Sequence, residues 1–118
     1  MYNYKELKIW QKSMDLAEKD YAITNLLRKE EKHELTSQIQ RSATSIPSNI
    51  TEVSGRNSNK KFKHFLSISD GLANELNTQL LLSLRIGHLE ELQLKDIFNL
   101  LTVIQKMNFV LINKFSKI

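Results

Sequence analysis

Apolar residues recur along most of the chain at alternating spacings of three and four, which is the repeat of one face of an α-helix. Four such segments, separated by short polar connections, predict helices at about residues 5–27, 32–54, 59–86 and 91–115. Consecutive helices joined by short connections pack antiparallel. The pattern therefore predicts an all-α fold, an up-down-up-down antiparallel four-helix bundle, with residues 1–118 forming a single domain.

The first segment carries two neighbouring apolar stripes. One comprises Leu7, Trp10, Met14, Ala17, Tyr21 and Thr24, and the second comprises Ile9, Leu16, Ile23 and Leu27. Because a long thin bundle has a narrow core, we expect the second stripe to lie outside it. Burial of that stripe between copies of the chain would favour a homo-oligomer. The alternative is that these are scattered apolar surface residues, which are common.

The second segment keeps the phase of its apolar stripe across Pro47, the only proline. The helix is therefore expected to continue through that residue or to restart there, with a kink. Ser45 and Ser48 are candidates to satisfy the backbone groups that the proline frees. Gly55 predicts the end of this helix.

Composition limits the possible classes of protein. With 118 residues, 3 glycines and 1 proline, the chain fits one domain with few turns. The absence of cysteine excludes disulfides and thiolate metal sites. The N-terminus lacks the pattern of a secretory signal, and the longest apolar runs are only a few residues. We expect a cytoplasmic protein with no membrane association.

The formal net charge of +4 is concentrated in residues 32–64. Six basic residues there face only two acidic ones, and the basic set is Lys32, Arg41, Arg56, Lys60, Lys61 and Lys63. Lysines in the first turn of a helix oppose its macrodipole, whereas a bound phosphate would be stabilised by that turn. We therefore consider nucleic-acid contact, and the candidate residues are Arg41, Arg56, Lys60, Lys61, Lys63 and His64. The alternative is a solvated basic face that aids solubility.

Four further polar residues are candidates for a structural clamp between helices: Asn49, Glu52, Glu75 and Gln79. Glu75 lies between Leu72 and Leu76, near the edge of an apolar stripe, and a carboxylate there needs a partner such as Arg41 or Arg56. A binding cleft is the alternative interpretation of this set. Trp10 is interpreted as a core or interface anchor.

Catalytic and metal-binding patterns are lacking. The sequence contains no G-x-S-x-G and no glycine-rich phosphate loop. A di-iron bundle needs an E-x-x-H pair on each of two helices, and this chain has one pair, Glu30 and His33, in a polar connection. We therefore expect no enzymatic activity, no metal, no cofactor and no small-molecule substrate.

Several blocks of the sequence resemble the four helix bundle protein family, also called the 23S rRNA intervening-sequence or S23 family. The matching blocks are "YKELKIWQKSMDL", "LTSQIQRSATSIPSNITE", "GR", "KFKHFLSIS" and "GLANELNTQLLLSLRIGHL", which together cover nearly the whole chain. The chain departs from the usual family pattern at Gln40, Thr51, Val53 and Asn77, where the family has arginine, alanine, glycine and an acidic residue. These departures remove charge or backbone freedom near the "SIPSN" block.

The resemblance implies an up-down four-helix bundle. It also implies a ring-like homopentamer with a positively charged surface, as in the related accessory variability determinant of diversity-generating retroelements. The leading functional hypothesis is a non-enzymatic accessory or adaptor protein that contacts RNA or DNA through its basic patch. The alternative is a protein-protein interaction scaffold with no nucleic-acid role.

Overall fold

The computed structural model describes residues 3–26, 34–54 and 58–116, apart from the side chains of Val53 and Ser54. A 3₁₀ turn at Tyr4–Glu6 precedes four α-helices. The helices are α1 (Lys8–Thr24), α2 (Glu34–Ser54), α3 (Asn59–Arg85) and α4 (Glu91–Ser116). No strand occurs within these ranges, so the predicted all-α class and the four helices are confirmed.

Each helix packs mainly against two others, in the pairs α1–α2, α2–α3, α3–α4 and α1–α4. Contacts at both ends of α1 and α2 fix their antiparallel direction. Trp10 Nε1 donates to Thr51 Oγ1 over 2.9 Å, and Gln40 Nε2 donates to Thr24 Oγ1 over 2.8 Å. The molecule is a rod of 48 × 21 × 20 Å. This arrangement is consistent with an up-down-up-down bundle.

Short-range signals explain where α3 begins and ends. Ser58 adopts an extended conformation, and its hydroxyl accepts a hydrogen bond from the Lys61 N–H at 3.3 Å, which caps the helix. Gly87 follows the helix with φ of 83°, a conformation that L-residues rarely adopt. The His88 N–H then reaches back to the Ser83 carbonyl at 2.9 Å, as expected for a Schellman-type end.

The start of α1 differs from its predicted position, and some other predicted helix ends lie outside the described residues. Helix α1 begins at Lys8 rather than near residue 5, because Asn3 caps the preceding 3₁₀ turn and Leu7 is extended. Leu27, Gly55 and the predicted start of the second helix at residue 32 lie outside the described residues. Pro47 is within α2, which continues through it.

The predicted core stripe of α1 was wrong by one residue. The buried face of this helix comprises Ile9, Ser13, Leu16, Asp20 and Thr24. Ile9 and Leu16, expected outside the core, are 2% and 0% exposed, whereas Met14 and Tyr21 of the other stripe are 38% and 41% exposed. Polar residues occupy core positions of α1, so the spacing of apolar residues alone does not identify its buried face.

The remaining core is formed mainly by aliphatic side chains from α2, α3 and α4. It closes at one end with Phe62 of α3 against Phe115 of α4, whose ring centroids are 4.7 Å apart. Phe65 is half-buried and packs against the core. The phenylalanines of the basic segment therefore serve packing, and the exposed lysines Lys60 and Lys61 lie before them.

Candidate nucleic-acid interface

The first turns of α3 present the clustered lysines at one end of the bundle. Lys60, Lys61 and His64 are exposed, and Lys63 is partly buried. Within the described residues, none of their charged groups pairs with a carboxylate. The Ser58 hydroxyl accepts a hydrogen bond from the Lys61 N–H. The N–H groups of Asn59 and Lys60, also in the first turn, are not bonded by this cap. Unpaired ammonium groups and backbone donors thus share one surface.

The structure does not place the other two candidate residues in this cluster. Arg56 lies outside the described residues. Arg41 is exposed on α2, 13 residues before that helix ends at Ser54, which corresponds to roughly 20 Å along the helix axis. The structure therefore brings together Lys60, Lys61, Lys63 and His64, and separates Arg41 from them.

The antiparallel topology adds basic residues to the same end. The starts of α1 and α3 and the ends of α2 and α4 meet there. We define the basic end by the 3₁₀ turn and the two adjoining turns of each helix, and its charged residues are Lys5, Glu6, Lys8, Lys12, Glu52, Lys60, Lys61, Lys63 and Lys114. Lysines from α1 and α4, which the linear sequence does not associate with α3, therefore reinforce the cluster.

The opposite end has the reverse balance. We define this acidic end by the two adjoining turns of each helix and Glu90, and its acidic and basic residues are Glu18, Lys19, Asp20, Glu34, Arg85, Glu90, Glu91, Lys95 and Asp96. The connection 27–33 contributes a sequence charge of only +1, with three basic and two acidic residues. This polarity is not visible in the linear sequence, because the charges of α1 sum to zero along the chain, and so do those of α4 together with Glu90.

The predicted polar clamp has different partners from those expected. Glu75 is exposed, and it accepts a hydrogen bond from Gln79 Nε2 at 3.3 Å on its own helix, rather than pairing with Arg41. Gln79 is buried, and its Oε1 accepts from Ser42 Oγ of α2 at 2.9 Å. The contact between α2 and α3 is therefore made by Gln79 and Ser42, with Glu75 orienting the amide.

Asn49, a further clamp candidate, contacts its own helix. Asn49 Nδ2 donates to the Ser45 carbonyl at 2.8 Å, so it supports α2 from within, close to Pro47. Ser48 Oγ likewise donates to the Thr44 carbonyl at 2.9 Å. Glu52 is exposed near the C-terminal end of α2. The polar residues around the proline thus satisfy α2 carbonyls, and the binding-cleft interpretation has no support in their geometry.

A polar groove between α1 and α2 surrounds Arg41. Its volume is about 390 Å³, and its lining residues are Tyr21, Ser37, Gln40, Arg41, Thr44, Ser45 and Ser48. No acidic side chain lines it, and Arg41 has no acidic partner within the described part of the chain. The groove can therefore offer one positive charge and several hydroxyl groups to a second anionic contact.

A buried carboxyl group lies near the acidic end, and the sequence analysis did not identify it. Asp20 is 0% exposed, and neither side-chain oxygen has a hydrogen-bond partner. Burial disfavours the charged form and raises the pKa of Asp20 to about 7. Its sequence signal is a charged residue at the spacing of Ile9, Leu16 and Thr24, which is visible only once the correct face of α1 is known.

The described ranges contain neither a candidate metal site nor a membrane-spanning helix. No group of three or more His, Cys, Asp or Glu side chains there could hold a metal ion. Glu30 and His33 lie outside those ranges. None of the helices, over the residues described, is long and apolar enough to cross a membrane.

The fold and this site define an all-α four-helix protein whose distinguishing surface is a basic end. The model of the 23S rRNA-intervening sequence protein family matches residues 5–109. The chain therefore belongs to that family, as the resemblance of its sequence blocks predicted.

A solved relative agrees with this assignment. A protein of unknown function from the S23 ribosomal protein family of Bacteroides thetaiotaomicron VPI-5482 superposes with a TM-score of 0.82 at 30% sequence identity. The match covers 88% of this chain and 97% of that one. No curated protein matches the sequence. The family is one of unknown function, so the surface chemistry must supply the functional hypothesis.

Proposed function

We propose that the protein is a non-enzymatic accessory or adaptor protein that binds RNA or DNA through its basic end. The observation that carries this proposal is the set of lysines on the first turns of α3, whose ammonium groups have no carboxylate partner within the described residues. Positively charged side chains at a helix N-terminus oppose the helix macrodipole and lower stability unless an anion is bound there. A phosphate backbone would supply that anion, and would do so without regard to base sequence.

The surrounding lysines support the same proposal. Lys5, Lys8 and Lys114 come from the 3₁₀ turn, α1 and α4, and they extend the basic surface beyond α3. Multiple phosphate contacts add together, because each releases condensed counterions from the nucleic acid. Arg41 lies too far along α2 to belong to this surface, so we assign it to the polar groove as a separate and weaker contact.

Apolar surface on α4 favours a homo-oligomer, and we propose that copies of the chain associate through it. Phe109 and Val110 are 69% and 63% exposed. An apolar groove of about 390 Å³ between α1 and α4 adjoins this surface and includes Leu7, Met107 and Leu111. Such patches commonly mark interfaces. A ring such as the pentamer implied by the family resemblance would repeat the basic end in each subunit and raise its avidity.

The proposed binding is tested by fluorescence anisotropy with 5′-labelled single-stranded RNA and DNA of about 20 nucleotides. The variant carries Lys60→Glu and Lys61→Glu. We expect at least a tenfold loss of affinity, and we expect the slope of log affinity against log salt to fall by about 1.4, since each phosphate contact contributes ~0.7 on single strands.

The matched control carries Lys19→Glu and Lys95→Glu, which make the same charge change on exposed residues of the acidic end. We expect the control to bind within twofold of the parent. Equal losses in both variants would mean that net charge, rather than the basic end, controls binding. No measurable binding by the parent at low salt would favour the protein-protein scaffold.

A further inference from the structure

Helix α1 has an unusual distribution of polar residues. Of the five buried residues on its core face, Ser13, Asp20 and Thr24 are polar. The face displaced by one residue is more apolar and comprises Trp10, Met14, Ala17 and Tyr21, all of them only partly buried or exposed. The hydrophobic effect by itself would favour burying the second face. Contacts with the other helices must therefore hold α1 in the observed orientation.

Two hydrogen bonds to α2 do so. Trp10 Nε1 donates to Thr51 Oγ1, and Gln40 Nε2 donates to Thr24 Oγ1, at 2.9 and 2.8 Å. The buried carboxyl group of Asp20 disfavours this orientation, because its two oxygens have no partner. An uncharged carboxyl is tolerated in such a place far better than a carboxylate. The orientation of α1 is thus sensitive to the charge on one side chain.

The core offers no charge to offset that of Asp20. Asp20 is the only ionisable member of the buried polar set within the described residues, and the others are Ser13, Thr24, Thr36, Ser42, Ser69, Gln79, Ser83 and Asn108. At the level of Asp20 along the rod, the charged side chains lie at the surface of every helix, namely Lys19 on α1, Arg41 on α2, Glu75 on α3 and Asp96 on α4. A carboxylate at residue 20 would therefore be buried without a counterion.

We propose that α1 can occupy two rotational positions about its own axis. Loss of the Asp20 proton favours rotation from the observed position by about one residue. Such a rotation is about 100° in a helix of 3.6 residues per turn. It moves Trp10, Met14 and Tyr21 from the α2 side into the core. It moves Asp20 to the α1–α4 groove, where Lys19, Gln93 and Asp96 now lie and where water can solvate the carboxylate.

The size and direction of the effect follow from proton linkage. Burial holds the Asp20 pKa at about 7, whereas a solvated Asp has a pKa near its ordinary value of 3.8. The rotated position therefore becomes more stable relative to the observed one as the pH rises from about 4 to 7. Above pH 7 the free-energy difference between the two positions is constant. Three pKa units correspond to a bias of about a thousandfold. A protonated Asp20 therefore favours the observed orientation.

The test uses the absence of native cysteine. Ser13→Cys and Met14→Cys are made separately, since they place a thiol on the core face and on the displaced face of α1. The rate of reaction with a disulfide reagent is measured from pH 5 to 8, in the parent and in Asp20→Asn. The ratio of the two rates removes the common dependence on thiolate concentration.

With Asp20 present, we expect the ratio of the rate at residue 13 to the rate at residue 14 to rise at least tenfold across this range. In Asp20→Asn it should stay constant, because the amide does not ionise. Parallel acceleration at both sites would show local unfolding of α1 and would overturn the rotation. The same pH response in Asp20→Asn would also overturn it.

Fluorescence of Trp10, the only tryptophan, gives an independent reading in chains without engineered cysteine. Rotation breaks its bond to Thr51 and buries the indole, so its emission should shift to shorter wavelength as the pH rises from 5 to 8. Helical circular dichroism should stay unchanged. A shift that persists in Asp20→Asn, or no shift in the parent, contradicts the proposal. Asp15→Asn, an exposed change on the same helix, should retain the parental response.

Discussion

Within the described residues, the basic end carries seven lysines and two glutamates, whereas the acidic end carries six acidic and three basic residues. The same four helices form both ends, so the difference arises from which part of each helix holds which charge. α1 is basic where it starts and acidic where it stops, and α4 has the opposite order. Antiparallel packing then places like charges together, although it makes the molecule less stable at each end.

The two ends also differ beneath their surfaces. The basic end closes on the contact between Phe62 and Phe115, an apolar pair. Toward the acidic end, the core includes Asp20, which is fully buried and has no partner, and the Ser42–Gln79 hydrogen bond. Exposed lysines therefore set the surface charge at one end, and a buried carboxyl group affects the stability of the core near the other. The following substitutions separate these two effects.

The largest effect is expected for Asp20→Asn. Because the folded-state pKa of Asp20 is raised to about 7 from 3.8, the folded protein binds more protons than the unfolded chain between these values. The contribution of this group to the free energy of unfolding is therefore full below about pH 4, falls as the pH rises, and is lowest above 7. Asp20→Asn should raise the free energy of unfolding at pH 7.5 by up to about 4 kcal/mol.

Urea unfolding at pH 5 and at pH 7.5 measures this gain as a difference between variants. Asp15→Asn, exposed on the same helix, should change the free energy of unfolding by less than ~0.5 kcal/mol. An equal effect of Asp20→Asn at both pH values would show that folding does not raise the pKa of Asp20, as for a solvated carboxyl.

Reversal of charge at the two ends should have the next largest effect, this time on binding. Lys60→Glu with Lys61→Glu should weaken binding of a single-stranded oligonucleotide at least tenfold, about 1.4 kcal/mol. Glu90→Lys with Glu91→Lys makes the acidic end more basic and should raise affinity by less than threefold, because no neighbouring lysine cluster joins it. Anisotropy titrations at 0.1 M salt would compare the two. Equal and opposite changes would indicate that only net charge matters.

The third effect concerns the polar contact between α2 and α3. Ser42→Ala should lower the free energy of unfolding by about 1–3 kcal/mol, because it leaves the buried Oε1 of Gln79 without its 2.9 Å donor. The matched change is Thr44→Ala, whose exposed hydroxyl donates only to the Gln40 carbonyl of its own helix. That control should change stability by less than ~0.5 kcal/mol in thermal or urea unfolding. A loss no larger than that of the control would mean that water replaces Ser42.

The sequence predicted the fold well because its signals are local. Apolar spacing identifies the helices, Ser58 caps α3, and Gly87 supplies the positive φ after it. The core face of α1 was predicted wrongly, since Ser13 and Asp20 occupy positions that apolar periodicity assigns to the surface. That error hid the most unusual buried group of the molecule.

The candidate site could be predicted only in part from the sequence. Lys60, Lys61, Lys63 and His64 are close in sequence and remain close in the structure. The contribution of Lys8 and Lys114 depends on topology, and the separation of Arg41 depends on the length of α2. Ser42, the partner of Gln79, is 37 residues away from it, and local spacing holds no information about such a pair.

The smallest effect is a gain in stability from the same lysine substitutions that should weaken binding. Lys60 and Lys61 lie in the first turn of α3, where positive charge opposes the macrodipole. Replacement of each by Glu should raise the free energy of unfolding by about 0.3–1 kcal/mol at low salt, as measured by urea unfolding, and the gain should shrink at 1 M salt.

Lys106→Glu, on the exposed middle of α4, makes the same charge change away from a helix end and should give a smaller gain. A loss of stability in the Lys60→Glu, Lys61→Glu variant would mean that these lysines stabilise the fold, and their position would then need no ligand to explain it. A variant that is more stable and yet no longer binds nucleic acid would separate the two roles. Loss of binding could not then be attributed to unfolding, and the unfavourable charge at the basic end would be explained by the anion it binds.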